Sequence, residues 1–146
     1  MSGAVWAAPF ARALLGITGA LYVSLGLAFA LEPVAWAAKV GLSLDGPGSV
    51  TEVRAFYGGL ELGLGALFVL CALRRAWIVP GVLGLLCTYG GLAAGRGLSL
   101  LGSGPHGDLQ PKLVAVELSG TALSALALWA LARGPGDAEG PLGAVG

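Results

Sequence analysis

The sequence predicts an all-α fold, an integral membrane four-helix up-and-down bundle. Three observations carry that expectation. First, 56% of the 146 residues are hydrophobic and only 11% are charged, less than half of the roughly 25% that a soluble domain uses to face water. Second, four apolar runs come close to the roughly 20 residues needed to cross a bilayer. Third, no segment alternates apolar and polar residues in the strict way of a membrane β-barrel. Eight Lys and Arg balance eight Asp and Glu, which excludes an electrostatic nucleic-acid binder with a basic face. The high hydrophobicity excludes a disordered chain. Glycine is abundant, at 26 residues, without the every-third-residue period of collagen.

The first span is expected at about residues 13–31, ending at Glu32-Pro33. Its apolar run, about 19 residues, exceeds the roughly 7–15 of a signal-peptide core, so Ala35-Trp36-Ala37 is not expected to be cleaved. The second span is expected at 51–73, with Glu52, Arg54 and Glu61 in it. Arg74-Arg75 leaves almost no loop before the third span at 76–101, so these two form a tight hairpin. The fourth span is expected at 113–131. Residues 1–133 thus form one membrane domain, and the Gly- and Pro-rich stretch 134–146 reads as a disordered cytoplasmic tail. Cys71 and Cys87 fall at different depths on neighbouring spans and read as small buried hydrophobes rather than a disulfide.

Orientation follows from the Lys/Arg bias. Arg12, Arg74, Arg75 and Arg133 lie at one end of the bundle, and Lys39 and Lys112 at the other. The first end is therefore expected in the cytoplasm, with both termini there, in the cell (inner) membrane. The loop at 33–48 begins apolar and holds Trp36 and Lys39; it reads either as a short interfacial helix or as a plain connection. The loop at 102–111 is turn-rich and carries His106 and Asp108.

Ionisable residues at membrane depth are costly and usually face the bundle interior. At helical spacing, Arg54, Tyr57, Gly58, Glu61, Gly65 and Phe68 share one face of the second span. Gly59 and Gly63 form a G-x-x-x-G pair on another face, suited to close helix contact or homo-oligomerisation. Glu117, Gly120, Thr121 and Ser124 make a matching face on the fourth span, and Tyr89, Ala93 and Arg96 one on the third. The up-and-down path brings Arg54, Glu61, Arg96 and Glu117 to similar depth, where two positive and two negative charges can neutralise one another. Tyr57, Tyr89, Thr121 and Ser124 could add hydrogen bonds, with His106 above them in a lid or as an ordinary loop residue. The expectation is a polar pocket in the extracytoplasmic half of the bundle.

The segment Thr51-Glu52-Val53-Arg54-Ala55-Phe56-Tyr57-Gly58-Gly59-Leu60-Glu61-Leu62-Gly63-Leu64-Gly65 resembles the signature of a family of small bacterial four-helix membrane proteins, a domain of unknown function with an E-x-R-A-x-Y-G-G motif. Arg96-Gly97-Leu98-Ser99-Leu100-Leu101 at the end of the third span and Glu117 in the last helix resemble it too. The likeness covers roughly residues 10–133. It departs after Arg96: family members often carry Asp-Gly there, whereas this chain reads Leu101-Gly102-Ser103-Gly104, with Asp108 the next acid. The resemblance implies the fold and singles out Arg54, Tyr57, Glu61, Arg96 and Glu117; it implies no activity.

Three functions stay open. A pocket for a membrane lipid or a small apolar or amphipathic molecule could carry acid–base chemistry of an isomerase or cyclase type. Glu61 or Glu117 would then be the acid or base, and Arg54 and Arg96 would stabilise an anion. Alternatively, the ion pairs are structural and the protein is an accessory subunit. A small proton-coupled exporter is the third reading; glutamates paired with arginines argue against it. No cofactor or metal is expected: one histidine cannot ligate haem from both sides, and H-E-x-x-H, P-loop, C-x-x-C and G-x-S-x-G motifs do not occur.

Overall fold

The computed structural model describes residues 5–103 and 107–133. The expected tail at 134–146 and His106 lie outside the described residues. Among the described residues there are five helices: α1 (Ala7–Leu31), α2 (Pro33–Lys39), α3 (Pro47–Leu73), α4 (Ile78–Ser103) and α5 (Leu109–Ala132). Four of them, α1, α3, α4 and α5, are long and apolar enough to cross a membrane. Most begin before the apolar runs do. Pro33 and Pro47 sit at helix starts, where the missing N–H of proline is no loss, so α3 starts ahead of its apolar core. A single 3-10 turn, Arg75–Trp77, joins α3 to α4.

The spans run up and down as two tight pairs, α1 with α3 and α4 with α5, while α1 and α4 each touch all three other spans. Lipid tails are as apolar as leucine, so helices in a membrane gain little by hiding hydrophobic surface and must associate through close packing and polar contacts. Accordingly many large apolar side chains face outward, among them Ile17, Leu21, Leu60, Leu83, Leu98 and Leu118.

The α1–α3 pair is built on glycine. A Cβ at Gly26 would lie 2.7 Å from the Leu62 nitrogen and 2.9 Å from the Gly58 oxygen. At Gly65 it would lie 2.7 Å from the Val23 nitrogen and 2.8 Å from the Gly19 oxygen. The two backbones are in direct contact, so no side chain fits between them. Gly59 and Gly63, the pair expected to mediate close contact, are exposed instead, and a Cβ at Gly63 would meet nothing within 4 Å. The close crossing uses Gly58 and Gly65.

The interior is uneven along the bundle axis. Toward the Arg-rich end, Ala11, Leu15, Phe68, Cys71, Ile78, Val82, Leu85 and Ala127 form a closed apolar core drawn from all four spans. Arg12 of α1 fastens this end, its Nε donating to the Ala72 oxygen at 3.0 Å and Nη2 to the Leu73 oxygen at 3.4 Å, carbonyls that the end of α3 leaves unpaired. At the other end a smaller cluster of Phe29, Ala37 and Val53 ties α2 to α1 and α3 alone. There α4 and α5 are not part of the core.

Gly26→Ala and Gly65→Ala are each expected to cost about 1–3 kcal/mol through overpacking, read as a lower Tm in detergent. Gly63→Ala should melt like the wild type; equal Tm values for all three variants would contradict the direct backbone contact.

Candidate functional site

Two clefts lie next to each other in the α2-side half. The inner one, about 460 Å3, is lined by Tyr22 of α1, by Phe56, Tyr57, Leu60, Glu61 and Leu64 of α3, and by Thr88, Gly91 and Leu92 of α4. The outer one, about 750 Å3, is lined by residues 38–41 after α2, by Gly91, Leu92, Gly95, Arg96, Ser99 and Leu100 of α4, and by Leu109 and Gln110 of α5. Gly91 and Leu92 belong to both, so the two clefts adjoin along α4, the outer one lined by Lys39 and Arg96 and the inner one by Glu61. Gly91 and Gly95 form its wall on α4; a Cβ on either would meet nothing within 4 Å.

At the outer end Arg96 bridges α4 and α5. Its Nε donates to Glu117 Oε1 at 3.0 Å and to Oε2 at 3.2 Å, and Nη2 lies 2.9 Å from Oε1. Nη1 donates to the Gln110 Oε1 at 2.6 Å. The Glu117 side chain is only 7% exposed and that of Arg96 28%. Gln110, Glu117, Gly120 and Ser124 occupy one face of α5 at i, i+7, i+10 and i+14, and Gly120 lets the helices close. A Cβ there would lie 2.6 Å from the Tyr89 ring. Two-point contact to a planar guanidinium makes this a strong, well-oriented pair.

Glu61 is different. It is half-buried, its Oε2 is shut off from solvent, and that oxygen has no hydrogen-bond partner among the described residues. Tyr22 stands near it, its ring edge-on to Phe68 at 5.9 Å and to Tyr89 at 6.3 Å. Tyr57 stacks on Phe29 at 5.1 Å with its edge open to the cleft. A buried acceptor without a donor is costly, and in folded proteins such groups call for an explanation.

The four charges expected to neutralise one another therefore do not form one group. Arg96 and Glu117 pair, whereas Arg54 is exposed with no acidic partner within salt-bridge distance among the described residues. The cause is local. Residues Arg54–Leu60 form π-helical turns inside α3. Each π turn takes in one residue more than an α turn, so the step from Arg54 to Glu61 no longer closes two turns and the shared face is lost.

The other expected ligand-binding residues also separate. Tyr57 lines the inner cleft with Glu61. Tyr89 lines a third groove, on the far side of α4 between α1 and α5. Ser124 is fully buried, donating to the Gly120 oxygen at 2.8 Å, and Thr121 donates to the Glu117 oxygen at 2.8 Å. Both spend their only donors on their own helix. Tyr22, Thr88, Lys39 and Gln110 line the cleft and were not singled out as site residues. Gln110 had a legible signal, because it lies two turns before Glu117 on the same face.

The sequence profile of a domain of unknown function (DUF4345) matches residues 10–131. The chain belongs to the DUF4345 family. No curated protein and no solved structure matches it. The matched residues take in all but the outermost ends of the four spans, the Arg96–Glu117 pair and the whole cleft.

Removing one partner of a buried ion pair strands the other. Glu117→Ala is expected to lower stability by about 3–5 kcal/mol, whereas Arg54→Ala should stay within about 0.5 kcal/mol of the wild type. Thermal unfolding in detergent separates the two; a larger loss for Arg54→Ala would restore the four-charge arrangement.

Proposed function

We propose that this DUF4345 protein is a multi-pass protein of the bacterial inner membrane that binds a small amphipathic or lipid-like molecule in the Lys39–Glu61 cleft, on the extracytoplasmic side. One observation carries the reading. The cleft is made of two adjoining parts that share Gly91 and Leu92, each of a volume typical for small-molecule sites, with charged groups at its mouth and an unpartnered carboxyl at its inner end. An apolar wall joins two polar ends, which suits a molecule with both characters.

The orientation rests on the Arg-rich end and its tryptophans. The guanidinium carbon of Arg133 sits 4.0 Å from the centre of the Trp129 ring and that of Arg74 5.0 Å from Trp77. Positive charge marks the cytoplasmic side, and tryptophan prefers headgroup depth. Within the cleft, acid–base chemistry of an isomerase or cyclase type falls to Glu61. Glu117 is held by Arg96 from two sides and is the lesser candidate. A proton-coupled exporter is the second reading, favoured by the same free carboxyl: Glu61 has no arginine partner among the described residues.

Gly91→Leu and Gly95→Leu add side chains into open cleft and should leave the fold intact. Mass spectrometry of small molecules co-purifying in mild detergent is expected to find a defined molecule on the wild type and not on either variant. The same bulk phospholipid on all three would turn against the reading and favour an accessory subunit. For orientation, a cysteine placed at Ser43 in a cysteine-free chain should react with an impermeant thiol reagent on intact cells, and one at Arg75 should not. The reverse pattern would invert the topology.

A further inference from the structure

The cleft has two polar ends with opposite hydrogen-bonding demands, and this specifies what fits it. At the outer end the Lys39 ammonium lies 3.8 Å above the centre of the Trp36 ring and has no acidic partner within salt-bridge distance among the described residues. Arg96 lines the same end. A guanidinium carries five N–H hydrogens; Glu117 and Gln110 engage Nε, one hydrogen of Nη2 and one of Nη1. One hydrogen remains on each terminal nitrogen. Glu117 neutralises Arg96, so Lys39 leaves the mouth net positive and donor-rich.

The inner end is the converse. Glu61 Oε2 is a buried acceptor with no donor. Of the hydroxyls that line this end, that of Thr88 donates to the Gly84 oxygen at 2.8 Å and has no second hydrogen to give, and those of Tyr22 and Tyr57 do not bond Glu61 Oε2. Between the ends α4 contributes Gly91, Leu92 and Gly95, which carry no polar side chain. Thr88 marks the inner end on α4 and Arg96 the outer, which at 1.5 Å of rise per residue puts them about 12 Å apart.

We propose that the ligand is an elongated single-chain amphiphile, polar at both ends. An anionic carboxylate or phosphate head sits between Lys39 and Arg96, and a hydroxyl about 12 Å away donates to Glu61. The proposal rests on the cleft reading above and narrows it to a class. A plain acyl chain would press its methyl end against the Glu61 carboxyl and leave the acceptor unmet, which is how a two-ended molecule is told from bulk lipid.

The test measures binding to the full-length detergent-solubilised chain by native mass spectrometry. The probes are ω-hydroxydecanoic acid, ω-hydroxydecyl phosphate and decanoic acid. At least one ω-hydroxy probe is expected to bind one per chain, at least tenfold more tightly than decanoic acid; which of the two wins tells a carboxylate from a phosphate head. Lys39→Ala, an exposed substitution on α2, should weaken both ω-hydroxy probes. Glu61→Leu should erase the preference over decanoic acid while the protein melts no lower than the wild type, because it removes an unpaired buried group. Equal binding of ω-hydroxydecanoic and decanoic acids, or a preference that survives Glu61→Leu, overturns the proposal. If no probe binds while Gly91→Leu still expels the co-purifying molecule, this class is wrong and the cleft reading stands. If Gly91→Leu expels nothing, the cleft reading itself has failed.

Discussion

The direct contact between the backbones of α1 and α3 is the constraint on which the rest of the molecule depends. With Gly19 and Gly26 against Gly58 and Gly65, two spans pack as closely as helices can. Nothing hydrophobic drives that association in lipid, so close packing itself must. α4 and α5 pair by another device, the Arg96–Glu117–Gln110 contacts and a Tyr89 ring laid on Gly120. Two pairs held by different devices need not close against each other along their full length. They do so at the Arg-rich end, where side chains from all four spans form the core. At the α2 end they diverge, and the divergence is the cleft.

Much of the fold was legible because membrane solvation is a severe filter. Apolar length alone marks a span, and Arg74-Arg75 between two such runs forces a hairpin. Gly58 and Gly65 lay on the right face of α3 for the α1 contact, although Gly59 and Gly63 had the better-known spacing. Spacing could not decide between them, because the choice depends on which face α1 covers, and that is a property of two helices. The site was less legible for a local reason. A face drawn at 3.6 residues per turn assumes an unbroken α-helix, and the π turns at Arg54–Leu60 break that assumption at the residues under question. Tyr22 stands alone among the mostly apolar residues of the first span, so no spacing marks it, yet it packs against Phe68 and Tyr89 and lines the inner cleft.

Glu61 and Glu117 show what a residue type alone leaves open. Both are glutamates on apolar helices, and both invited the same candidate role. Glu117 has Arg96 across the helix pair, so its charge is matched and its oxygens are occupied. A matched, buried pair of this kind fixes the geometry of two helices and has little freedom to exchange protons or bind anything else. Glu61 has lost Arg54 to the π turns, and Tyr22 and Tyr57 border it without bonding its buried oxygen.

An unmatched buried carboxyl is a cost that apolar substitution would remove, so it calls for a reason outside packing. The π turns sharpen the point. π turns are rare and concentrate at functional sites, and these sit immediately before Glu61. A plain α-helix through Arg54–Leu60 would put Arg54 and Glu61 on one face, two turns apart. The observed turns leave the arginine exposed and the Glu61 carboxyl at the wall of the inner cleft with one oxygen buried and unpartnered. Arg96–Glu117 supplies the rigidity that a four-charge network would have given, at a position that leaves Glu61 free. The two helix pairs thus differ: the glutamate on α5 is matched by Arg96 of α4, and the one on α3 keeps an unpartnered oxygen among the described residues.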